Sequence, residues 1–77
     1  MQTTDIKLAA TLMTYGFTLD SIEKVGVRTA EFNFAWSADM DNVMNDYTNG
    51  NLQVDASTIL TNLEKLKSRA ADVTRNL

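Results

Sequence analysis

The sequence predicts a single small α+β domain over residues 1–77, ordered α-β-β-α-α, with an antiparallel hairpin packed by helices. Three observations carry that prediction. Isolated glycines at Gly16, Gly26 and Gly50 cut the chain into periodic segments. Ala30, Phe32, Phe34 and Trp36 alternate with Glu31, Asn33 and Ala35, a period of two. From Ala56 onward apolar residues recur every three or four positions, a helical period.

Thr4 to Tyr15 reads as the first helix. Thr3 or Thr4 is the expected N-cap, Asp5 falls in the first turn, and Gly16 suits the position after the last turn. Ile6, Ala9, Ala10 and Met13 form one stripe, which Leu8, Leu12 and Tyr15 widen. Only Lys7, Thr11 and Thr14 make a polar face. A helix this apolar is either central to the core or part of a subunit interface.

Phe17 to Trp36 reads as a hairpin. A two-residue type II′ turn with Gly26 at its first central position pairs Phe17 with Trp36 and Leu19 with Phe34. That register gathers Phe17, Leu19, Phe32, Phe34 and Trp36 on one face, with Ile22, Val25 and Val27 off it or in the turn. Ser37 is the expected cap of the next helix, which carries Met40, Val43, Met44 and Tyr47 on one side and ends at Asn49-Gly50. Asn51–Val54 is open between a loop and a short third strand at 51–54. Asp55 caps the last helix, with apolar positions Ala56, Ile59, Leu63, Leu66, Ala70, Val73 and Leu77.

Composition excludes more than it assigns. The chain has 77 residues, 44% of them hydrophobic, and no histidine, cysteine or proline. Without histidine or cysteine there is no Ser-His-Asp or Cys-His chemistry, no thiolate zinc cage and no redox switch within one chain. No Gly-rich phosphate loop is present. The expectation is therefore no enzyme, no cofactor and no metal. Ile6–Met13 is too short and too polar for a signal or a membrane span, so a cytoplasmic location is expected.

Charge is uneven around a net of −3. Three cations stand against nine acids in residues 1–64, while residues 65–77 carry four cations against Asp72 alone. Lys65, Lys67, Arg69 and Arg75, with Lys24 and Arg28 near the hairpin turn, are candidate nucleic-acid contacts. Cations in a last helix also complement its C-terminal partial charge, and that explanation ranks first. The aromatic strand has the residue types of a base-stacking platform but lacks flanking cations, so it reads as core. Asp39, Asp41 and Asp46 form a candidate partner surface for a basic protein. Their spacing does not fit a calcium loop, because Val43 and Met44 occupy the positions that need an oxygen and a glycine. Two strands alone leave two open edges, and the first helix has apolar arc to spare, so a homodimer is expected.

Two stretches resemble a family of short phage and prophage proteins catalogued only as a domain of unknown function. Thr3-Thr4-Asp5-Ile6-Lys7-Leu8-Ala9-Ala10-Thr11-Leu12-Met13-Thr14-Tyr15-Gly16-Phe17 is similar to its capped, Leu-Ala-Ala-containing opening helix. Asp46-Tyr47-Thr48-Asn49-Gly50, Val54-Asp55 and Leu63-Glu64-Lys65-Leu66-Lys67-Ser68 resemble its acidic-aromatic turn, its helix start and its closing helix. Thr48 stands where the family often has a larger aromatic. The resemblance implies a viral or prophage origin, hence a host-cell cytoplasm, and supplies no catalytic or binding residues. The expected function is an accessory protein acting through contact with a host or phage protein. The alternative is a nucleic-acid-binding module using the basic last helix and hairpin tip.

Overall fold

The structure is a computed structural model describing residues 1–75. Its elements are β1 (Gln2–Thr3), α1 (Ile6–Thr14), β2 (Leu19–Lys24), β3 (Ala30–Phe34), α2 (Met40–Asn49) and α3 (Ala56–Arg75). The α-β-β-α-α order holds, with one addition at the front. The third strand is Gln2–Thr3, and 51–54 is not a strand. The sheet order is β1-β3-β2, antiparallel throughout. Gln2 faces Asn33, Thr3 faces Phe32, and the Phe34 N–H donates to the Met1 carbonyl at 2.8 Å. A two-residue strand is too short to leave a period in the sequence. Asn51–Val54 still turns Leu52 and Val54 inward, though it pairs with no strand.

The hairpin register carries a correction with a physical cause. Leu19 does face Phe34, but from Ser21 onward the pairing shifts by one, so Ile22 faces Phe32 and Lys24 faces Ala30. The irregularity falls at Asp20, a β-bulge. It lets Leu19 and Ile22, three residues apart, both pack against the core. Without it a period of two sends one of them to solvent. The same shift lengthens the connection. Val25 N–H donates to the Thr29 carbonyl at 3.0 Å, leaving Gly26, Val27 and Arg28 as a three-residue loop. Gly26 has no positive φ, so the type II′ turn is not formed.

The core joins one sheet face to α1 and α3: Ala9, Ala10, Leu12, Ala30, Phe32, Phe34, Met40 and Leu66 are buried together. Helix α1 is central. The side expected to be polar is covered too, since Thr11 is only 2% exposed and its hydroxyl donates to the Lys7 carbonyl at 2.8 Å. Thr14 accepts from Asn62 Nδ2 of α3 at 3.0 Å. Of the broad apolar arc of α1, Ala9, Ala10 and Leu12 are buried within the chain, Ile6, Leu8 and Met13 are half-buried, and Tyr15 is exposed. Leu77 lies outside the described residues.

The caps differ in part from expectation. Asp5, not Thr3 or Thr4, is the N-cap of α1: its Oδ1 accepts from Lys7 and Leu8 N–H at 2.9 and 3.3 Å. Its Oδ2 accepts from the Tyr47 hydroxyl at 3.1 Å, tying α2 to the start of α1. Ser37 does not cap α2; its carbonyl closes a turn on Met40 N–H, and Asp39 takes the cap position. Asp55 caps α3 as expected, accepting from Thr58 N–H at 2.9 Å and from the hydroxyls of Thr58 and Ser57.

Those bonds, first the Thr58 hydroxyl, hold the Asp55 carboxyl below its usual 3.8. A depressed folded pKa stabilises the fold fully above the unfolded value and is lost as pH falls through the folded one. Asp55→Ala is therefore expected to lower Tm near neutrality, with the difference from the parent shrinking as pH is taken below 3.8. Melts followed by far-UV circular dichroism across that range check it. A Tm difference independent of pH would refute the assignment.

Candidate functional site

The largest exposed aromatic side chain lies where α1, β2, β3 and α2 meet. Gly16, at φ +89°, ends α1 in a backbone conformation that other residues rarely adopt. Its N–H and that of Phe17 donate to the Met13 and Leu12 carbonyls at 3.0 and 3.1 Å. The chain then turns into β2, and Ala35 N–H donates to the Thr18 carbonyl at 3.1 Å, closing the end of the hairpin. Just past that bond the alternation stops. Trp36 is 68% exposed, so it does not join the aromatic face expected for it; β3 ends two residues earlier, at Phe34. Phe17 does pack against the core, half-buried.

Trp36 forms one wall of an open cleft of about 520 Å³, shared with Tyr15, Phe17, Asp39 and Val43. Tyr15 is 42% exposed and is steadied by its hydroxyl, which donates to the Gln53 carbonyl at 3.3 Å. Asp39 is the N-cap of α2, but its backbone is already helical and its carboxylate makes no cap hydrogen bond. The carboxylate is left to act on whatever enters. No lysine or arginine lines this cleft. An indole face beside a free carboxylate attracts a cation chemically, through the ring quadrupole and through charge.

The three acids of the expected partner surface do not form one patch. Asp39 and Asp46, seven residues apart, share a side of α2, while Asp41 lies across the inward stripe from them. Only Asp39 reaches the cleft.

The six candidate nucleic-acid contacts are divided as well. Arg28 and Lys67 line a second cleft, between the hairpin tip and α3. Lys65 and Arg69 project from the opposite flank of α3, with the buried Leu66 ridge between. Arg75 is occupied by Asp72 at 2.6 Å and by the Ala71 carbonyl at 3.3 Å. Lys24 ends β2, half-buried. Among the described residues no three His, Cys, Asp or Glu side chains gather to hold a metal. No described helix is long and apolar enough to cross a membrane.

The model of a protein family described as Domain of unknown function (DUF5659) matches residues 1–72. The chain belongs to that family. The DUF5659 match covers every element except the last residues of α3, so both clefts lie almost wholly within it. No curated protein and no solved structure matches this DUF5659 chain. The sequence pattern missed the Trp36 cleft because it extended the strand two residues too far. The helix start after Trp36 is legible at Ser37, but the alternation runs the strand up to it, whereas Ser37 to Met40 forms a turn and β3 stops at Phe34.

Proposed function

We propose that the chain is a non-enzymatic accessory protein of a phage or prophage, acting in the host cytoplasm by protein–protein contact. The observation that carries this reading is the exposed Trp36 beside Tyr15 and the free carboxylate of Asp39. Tryptophan and tyrosine dominate binding energy at protein interfaces, and a domain this small has few large side chains to spare from its core. The partner is a protein presenting a basic segment, with an arginine or lysine on the indole face. The acidic balance of residues 1–64 attracts such a segment over distance. The phage or prophage origin rests on the resemblance of the stretches from Thr3 to Phe17 and from Asp46 to Ser68. Nucleic acid is the weaker reading, because the cations are split between two flanks of α3.

Trp36 is the chain's single tryptophan, so its fluorescence reports on the cleft directly. Titration with an arginine-rich peptide is expected to quench and shift the emission saturably, and less so at high salt, where exposed charges are screened. An unchanged spectrum, or the same response to an acidic peptide of matched length, removes this reading.

Self-association is part of the proposal, through the hairpin tip. Val27 is 83% exposed there, with Val25 beside it. The tip is favoured over α1 because Ala9, Ala10 and Leu12 of that helix are buried within the chain. Sedimentation at high micromolar concentration is expected to show a dimer that Val27→Asp converts to monomer. A strict monomer removes the dimer and leaves the cleft reading standing.

A further inference from the structure

The second cleft, of about 470 Å³, lies on a different part of the surface and shares no lining residue with the first. Its lining includes Thr4, Arg28, Thr29 and Lys67, beside the apolar Ile6 and Ala30. Two cations far apart in the sequence thus meet at one concavity, with no acid in its lining, on a chain whose net charge is −3. Arg28 makes no ion pair and no side-chain hydrogen bond among the described residues. Lys67 approaches Glu64 at 3.7 Å, but both side chains are largely in solvent, and such a pair holds a lysine weakly. The hydroxyls of Thr4 and Thr29 donate to no described residue, whereas that of Thr74 is taken by the Ala70 carbonyl at 3.0 Å.

We propose that this cleft binds a small phosphomonoester. The planar guanidinium of Arg28 grips two phosphoryl oxygens and the Lys67 ammonium supplies a second charge, matching a dianion. The Thr4 and Thr29 hydroxyls add neutral donors. The organic part of the ligand rests on the apolar part of the lining, against Ile6 and Ala30. A nucleic-acid strand is not the ligand, because tracking a backbone takes a row of cations. Here Lys65 and Arg69 face away and Arg75 is engaged with Asp72.

The test is a ¹H–¹⁵N NMR titration of the full chain in about 50 mM salt, where phosphate contacts are strong. The probes are phenyl phosphate, inorganic phosphate and a single-stranded oligonucleotide. Saturable shifts with phenyl phosphate are expected at the amides of Thr4, Thr29 and Ala71, and inorganic phosphate is expected to bind more weakly. Arg28→Gln and Lys67→Gln are each expected to weaken phenyl phosphate about tenfold, the loss of one charge-assisted contact. Both side chains are exposed, so the variants keep the fold, which circular dichroism verifies. Four results would overturn the proposal: no saturable shift, unchanged affinity in both variants, equal affinity for inorganic phosphate, or tighter oligonucleotide binding that Lys65→Gln abolishes. Trp36 emission stays constant throughout, which separates this site from the first.

Discussion

Phe32→Ala is expected to leave the chain largely unfolded at physiological temperature. The ring is 1% exposed and sits on the central strand, with Thr3 on one side and Ile22 on the other. Truncating a buried phenylalanine costs about 3–5 kcal/mol, the lost transfer energy plus the cavity left behind. A native domain holds only about 5–15 kcal/mol in total, and one this small belongs at the low end. The loss is therefore comparable to the whole stability. Urea unfolding followed by far-UV circular dichroism checks it, because Trp36 is already in water in the folded state and makes a poor folding probe. Phe32→Leu fills most of the space and is expected to retain a cooperative transition at lower urea. A Phe32→Ala chain that melts like the parent would mean that this ring does not join the sheet to the helices.

Trp36→Ala is expected to do the opposite: little to stability and much to binding. Surface substitutions away from caps and cores change stability by about 0.5 kcal/mol or less. A tryptophan anchor at an interface is worth about 2 kcal/mol or more when truncated, close to a thirtyfold loss of affinity. Calorimetric titration with the arginine-rich peptide measures it without depending on the indole. Asp39→Asn is expected to weaken binding less and to flatten its salt dependence, because it removes charge but keeps the stacking surface. Undiminished affinity in Trp36→Ala would place the contact elsewhere on the chain.

The two aromatics show where the sequence was legible. Phe32 and Trp36 belong to the same alternating run, and periodicity alone gives them the same fate. It describes Phe32 correctly because β3 pairs on both sides there. It fails at Trp36 because the end of a strand is decided by the next element of the chain, here a helix start at Asp39. The α-β-β-α-α order, the Asp55 cap and the Leu19–Phe34 pairing could all be read from local chemistry. The bulge at Asp20 could not, since an extra residue in a strand becomes visible only against its partner. Strand β1 was hidden for a related reason: two residues borrow their conformation from β3 rather than specifying it. The clefts are further from the sequence still. Arg28 and Lys67 are brought together by α3 crossing the hairpin, which is tertiary geometry.

The shortness of β1 has a consequence for behaviour at high concentration. Residues 30–34 form a five-residue, alternating apolar segment at the middle of the sheet, and on one side only Met1, Gln2 and Thr3 occupy its backbone groups. Strand β2 on the other side is bent by its bulge and carries Asp20, Glu23 and Lys24, features that discourage a neighbouring molecule from adding on. When the first three residues fray, the exposed edge is therefore the one without such gatekeepers. Removing those residues is expected to open that edge of the central strand to pairing with a second molecule.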